Sequence, residues 1–137
     1  MRLRFAHLAD FAGPGHQGKL IVVGIFSRIY DRLKLRPIPF PNFYLVAVFE
    51  ASLSEGSEHQ VKVTIVNADE KPTGFEMGGP LSFYTTGEGQ PLNAVLLMGF
   101  GPQVVKVPEL GDFAFVFEVD GTVVGRTDFS AIPAPKT

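Results

Sequence analysis

The residues best suited to metal or acid–base chemistry are three histidines, His7, His16 and His59. His7 and Asp10 stand three apart and His16 follows in the next loop, a set of donors that suits zinc or iron. On a strand, however, residues three apart point to opposite faces. The spacing therefore reads as solvated or hydrogen-bonded histidines rather than a metal site. Gly13-Pro-Gly-His-Gln-Gly18 resembles a phosphate-cradling loop only superficially. Such a loop opens a helix and carries Lys-Ser or Lys-Thr, whereas Lys19 opens an apolar strand. Asn67, Asp69 and Glu70 in one turn, and Asp120 in another, offer calcium-type oxygens, but turn propensity accounts for all four. No serine stands in a Gly-x-Ser-x-Gly elbow. No catalytic residue, metal site or cofactor is predicted.

A basic cluster is the remaining polar candidate. Arg28, Arg32 and Arg36 recur every four residues, with Tyr30 among them, and form a candidate anion patch on a solvated face. Seven of the twelve basic residues but only two of the fourteen acidic ones lie in positions 1–36. The two parts of the chain thus carry +5 and −7, within a net charge of −2. The acidic remainder argues against nucleic acid as a partner.

The elements that must carry these residues are strands. Phe113, Phe115, Phe117 and Val119 alternate with smaller or polar residues, the period of a strand with one buried face. Asp120-Gly121 then supplies a turn. A strict two-residue turn pairs Phe115 with Arg126 and drives a charge onto the phenylalanine face. A three-residue loop, Asp120–Thr122, instead pairs Phe117 with Gly125, Phe115 with Thr127 and Phe113 with Phe129. A one-residue slip flips every side chain, so burial favours the longer loop. Val61, Val63 and Ile65 alternate with Gln60, Lys62 and Thr64 in a half-exposed strand. In the first strand, Arg2–Ala9, the arginines Arg2 and Arg4 share one face and Leu3 and Phe5 the other.

Two strands differ, being apolar on both faces. They are Lys19–Ile29, with Leu20, Val22 and Phe26 against Ile21, Val23 and Ile25, and Asn42–Ala51, with Tyr44, Val46 and Val48 against Phe43, Leu45 and Phe49. A two-layer sandwich covers a strand on one side only. The second face needs cover from the Ser27–Pro41 segment, a neighbouring loop or a second copy, with cover from within the chain favoured. Leu20, Val22, Ile25, Phe26, Tyr44, Val46 and Val48 are therefore the candidate interface residues.

The remainder is turns and short runs. Asn67–Gly74 is a turn, Leu81–Thr85 and Val104–Val107 are short strands, and Leu92–Phe100 is a strand or a short helix. The one place for a short helix otherwise is near 28–36, closed by Pro37, Pro39 and Pro41. The 15 Gly and 11 Pro exceed the combined average of about 12% without a fixed repeat, as frequent turns require. About eight short strands and almost no helix predict an all-β, two-layer antiparallel β-sandwich of immunoglobulin-like or related topology. A small barrel is the alternative. A single domain spans 1–131, and 132–137 is a frayed tail.

With no cysteine in 137 residues, disulfides and thiolate chemistry are excluded, which suits a reducing compartment. The longest apolar runs, Leu20–Phe26 and Ala94–Phe100, are far short of the ~18 residues a span requires. The start carries no sustained apolar segment of signal type, so the expected address is the cytoplasm.

Leu8-Ala9-Asp10, Gly18-Lys19-Leu20 leading into Gly24-Ile25-Phe26, the strand Phe43–Glu50, and the ending Val107-Pro108…Leu110-Gly111-Asp-Phe-Ala-Phe…Val119-Asp120-Gly121 resemble a family of short, single-domain bacterial proteins of unknown function. The resemblance implies a bacterial, cytosolic, β-rich domain. It carries no activity, ligand or site residue. The expected function is that of a non-enzymatic module acting through protein–protein contact, self-association included. The rival is a small-ligand or carbohydrate-binding domain, using the loops Gly13–Gly18, Asn67–Gly74 and Thr85–Pro91 and a pocket lined by Tyr30, Tyr44 or Tyr84. A metal-dependent hydrolase built on His7, Asp10 and His16 ranks third.

Overall fold

Period-two alternation builds two facing layers. The tertiary structure, a computed structural model, describes residues 1–85 and 87–135. In chain order the strands are β1 (Arg2–Pro14), β2 (Leu20–Phe26), β3 (Arg28–Asp31), β4 (Ile38–Pro39), β5 (Phe43–Ala51), β6 (Glu58–Asn67), β7 (Pro72–Ser82), β8 (Tyr84–Thr85), β9 (Leu92–Phe100), β10 (Lys106–Val107), β11 (Gly111–Val119) and β12 (Thr122–Pro133). Eight of them are seven residues or longer, the number the alternation predicts. One sheet has the order β2-β1-β5-β9-β8 and the other β3-β12-β11-β6-β7, with β4 and β10 forming a small separate ladder. Helical residues among those described are confined to two 3-10 turns, His16–Gly18 and Leu53–Glu55.

The core lies between the inner faces. Phe43, Leu45 and Phe49 of β5 face Phe113, Phe115 and Phe117 of β11 and Phe129 of β12, all at most 4% exposed. The rings interlock: Phe40 sits edge-on to Phe129 at 5.2 Å and Phe43 stacks on Phe100 at 5.0 Å. Such offset and edge-to-face pairs add to the area they bury. Ile38 and Phe40, with Val105 and Val107, close this core on one side. The segment expected to cover a second apolar face therefore plugs the first one instead.

Four local features depart from the sequence reading, and one alternative it held open is resolved. Residues 28–36 form no helix: Arg28–Asp31 is β3, hydrogen-bonded in parallel to Ser130–Pro133, and bends follow. Ile29 and Asp31 point inward while Arg28 and Tyr30 are exposed, a period of two rather than four. Among the described residues this ladder is the one parallel pairing, the others being antiparallel. Residues 92–100 form a strand throughout. β7 is far longer than the short run expected at Leu81–Thr85 and passes through Gly78, Gly79 and Pro80 without a break. It is an edge strand, and there a proline removes no ladder bond. A bulge at Arg4 separates Leu3 from Phe5, so these two residues face opposite sides instead of sharing one. β12 continues to Pro133, beyond the start of the expected tail at 132. Lys136 and Thr137, the end of that tail, lie outside the described residues.

The closing hairpin has the predicted pairs, reached by a different device. Phe113 opposes Phe129, Phe115 opposes Thr127 and Phe117 opposes Gly125. The turn itself has only two residues, Asp120 and Gly121, both left-handed at φ 51° and 84°. The extra residue is Val124, bulged between Val123 and Gly125. Gly125 is required by packing, since a Cβ there would lie 2.8 Å from the Cβ of Leu3 in the opposite sheet.

Candidate functional site

The outer face of the first sheet is apolar across four strands. The ladder places Ile21, Val23 and Ile25 of β2 beside Phe5, His7, Ala9 and Phe11 of β1. Tyr44, Val46 and Val48 of β5 come next, followed by Val95 and Leu97 of β9. Phe5 stacks on His7 at 5.6 Å and Phe11 meets Tyr44 edge-on at 5.4 Å. Gly99 lies opposite Tyr44, whose ring passes within 3.0 Å of where a Cβ would stand. Phe5, Phe11, Ile21, Val23, Ile25 and Val95 are 38 to 58% exposed, so the described chain does not cover them. With about 200 Å² for a free aromatic side chain and somewhat less for an aliphatic one, that is roughly 500 Å² of apolar surface. Charges gather at one end only, where Arg2 pairs with Glu50 at 3.1 Å and Arg4 lies 3.9 Å from it.

Of the seven candidate interface residues, Ile25, Tyr44, Val46 and Val48 belong to this face. Leu20, Val22 and Phe26 are opposite Pro14, Ala12 and Leu8 on the inner side. Sequence reasoning missed Phe5, Phe11, Val95 and Leu97. The signal for Phe11 was present, because period two carried on from His7 and Ala9 reaches it. For Phe5 there was none, as only the bulge at Arg4 turns it outward.

At the end of the sandwich where β2 crosses from one sheet into the other, a cavity of about 440 Å³ opens. Phe26, Ile29, Tyr30, Ile38, Phe40 and Pro41 form its walls, and Asp10, Asp31, Arg28 and Arg32 supply its polar groups. Asp10 lies against Gly24, which has φ 71° and whose missing Cβ would overlap the Asp10 carboxylate. The Asp31 side chain is 8% exposed, and its Oδ2 accepts a hydrogen bond from Arg36 Nη1 at 2.9 Å. Its Oδ1 is buried with no hydrogen-bond partner among the described residues. The Arg32 guanidinium lies 5.2 Å from the Tyr30 ring centre, a cation–π contact. Of the candidate anion patch, Arg28 and Arg32 line this cavity and Arg36 is held by Asp31 on its wall, although the strand at 28–31 replaces the four-residue period that suggested the patch.

The remaining polar candidates are occupied structurally. His7 is on the outer face of β1, Asp10 is on the inner face, and His16 is in a 3-10 turn. Among the described residues no three His, Cys, Asp or Glu side chains gather as metal ligands would. The hydrolase reading therefore has no assembled site. Gly13–Gly18 joins β1 to β2 as a hairpin loop, not a helix start. Asn67 Oδ1 accepts the amides of Asp69 and Lys71, and Glu70 holds Arg126 at 2.8 and 2.9 Å. Tyr84 is exposed on β8, away from the cavity.

His59 is a second buried titratable group beside Asp31. Its Nδ1 is 2.5 Å from Asp120 Oδ2 and its Nε2 is 2.9 Å from the carbonyl of Gly56. Two acceptors fit a doubly protonated ring, and the Asp120 hydrogen bond raises the histidine above its ordinary range. The same bond lowers Asp120. With both nitrogens engaged, the ring has no free edge for base catalysis, and it anchors the β11–β12 turn to the start of β6.

Residues 4–132 match the profile of a family of unknown function (DUF6941). No curated protein matches the chain. Among the described residues no helix is long and apolar enough to cross a membrane. The match spans nearly all of the sequence, and the chain belongs to that family.

Proposed function

We propose that this member of a family of unknown function is an interaction module, and that the outer face of its first sheet packs against the same face of a second copy. The observation that carries the reading is the roughly 500 Å² of exposed apolar side chain that Phe5, Phe11, Ile21, Val23, Ile25 and Val95 show on β1, β2 and β9, around a β5 whose Val46 and Val48 are buried. Patches of that size on a monomer commonly serve recognition. The half-buried His7, Tyr44 and Leu97 enlarge it toward the ~800 Å² each partner gives to a standard interface. A second copy fits because the surface is nearly free of charge at its centre, and a sheet face presents the same shape to its two-fold mate. Two sheets meeting there would extend the sandwich to further layers at the usual ~10 Å spacing. The absence of cysteine suits the cytoplasm in this reading.

The test is solution mass by light scattering on a sizing column, for the wild type and for Ile25→Glu. Ile25 is 58% exposed on an edge strand, so the variant keeps its fold. The expected result is a wild-type dimer and a variant monomer that still unfolds in one cooperative circular-dichroism transition. A wild-type monomer up to sub-millimolar concentration overturns the proposal.

A further inference from the structure

We infer that the end cavity is a binding site for a small, uncharged, largely apolar molecule carrying one hydrogen-bond donor, with Asp31 as the group that recognises it. The inference is independent of the sheet-face interface, which lies on the opposite side of β1 and β2. Its volume of about 440 Å³ falls in the range of small-molecule sites. The walls of Phe26, Ile29, Ile38 and Phe40 ask for an apolar body.

Asp31 supplies the polar recognition. A carboxylate withdrawn from water needs its lone pairs met, and among the described residues only one of its oxygens is met. Arg36 orients Asp31 through Oδ2 and offsets its charge, which leaves Oδ1 as an acceptor without a donor there. Oδ1 itself is closed off from solvent, so a hydroxyl or N–H brought in by a ligand completes the set as the Asp31 carboxylate turns toward it. Arg28, Arg32 and Arg36 together outnumber Asp10 and Asp31, so the surroundings do not favour a cationic ligand. A neutral donor fits the balance better. Tyr30, 38% exposed beneath Arg32, stands at the mouth where an aromatic ligand would slide past it.

The experiment uses the full chain and two probes of nearly equal shape, 2-naphthol and 2-methylnaphthalene. The chain has no tryptophan, so naphthalene emission is read without interference. Wild-type protein is titrated against each probe, and the site is located by NMR shift changes. The expected result is binding of 2-naphthol roughly tenfold or more tighter than its methyl isostere, the difference a hydrogen bond to a charged acceptor makes. Shifts are expected at Phe26, Ile29, Ile38 and Phe40. Asp31→Asn is expected to remove most of that preference. Equal affinities for the two probes, no binding of either, or shifts centred on Phe5 and Phe11 each overturn the inference. Because the wild-type comparison decides on its own, a poorly folding Asp31 variant leaves the outcome intact.

Discussion

At the scale of single residues, the best-connected polar groups of this chain hold turns in place. His59 shows how. Its protonated ring satisfies two acceptors, one of them on a turn 61 residues away in sequence. Folding raises its pKa above the ordinary 6.5, chiefly through the Asp120 hydrogen bond. A raised pKa contributes stability that is fully present below about pH 6.5 and is lost as pH rises through the folded value. Asp120 is lowered from 3.8, so its share is present above that value and is lost as pH falls through the lowered one. The wild-type melting temperature should therefore fall as pH is raised from about 6 to about 9. Asp120→Asn keeps an acceptor for the Gln60 amide, which Asp120 holds at 2.9 Å, but removes the charge. Its melting curve should flatten over the same range. Parallel pH profiles for the two proteins would show that the pair does not govern this dependence.

At the scale of elements, bulges decide which way side chains face. Val124 is the residue in excess in the closing hairpin. Its deletion leaves a regular two-residue turn and keeps Phe117 opposite Gly125. Deleting Thr127 instead moves Phe129 onto the solvent side, because each one-residue step reverses the face. Circular-dichroism melts should find the Val124 deletion folded and only modestly weakened. The Thr127 deletion should lose the cooperative transition. If both deletions behave alike, the bulge does not have the role assigned to it. The second bulge, at Arg4, acts in the opposite sense. It sends Phe5 out to the exposed face while Leu3 stays inside against Gly125, and so it enlarges the exposed apolar face.

At the scale of the whole molecule, one sheet of this sandwich has two apolar faces and the other has one. The second sheet shows solvent Lys62, Glu76, Arg126 and Asp128, linked by surface ion pairs, and needs no cover. The first sheet shows phenylalanine, isoleucine and valine. If two copies share that face, the folded state gains from mass action. The wild-type melting temperature then rises with protein concentration, while that of Ile25→Glu does not. Calorimetry at two concentrations checks this, and a wild-type melting temperature independent of concentration speaks against self-association.

What the sequence by itself determined is the local grammar. Alternation in β6 and β11 set the inner faces, and the burial of Phe113, Phe115 and Phe117 set the hairpin register. The double apolarity of β5 was legible too, though which residues join its outer face was not. Only the tertiary structure decided that Phe5 faces outward, that residues 28–31 complete the second sheet, and that His59 finds Asp120. It alone left one Asp31 oxygen unmet beside an apolar cavity. The physical reason is range. Period two is written into neighbouring residues by the pleat of the strand, whereas a bulge, a parallel crossover or a buried carboxylate is settled by partners that the chain brings together only when it folds.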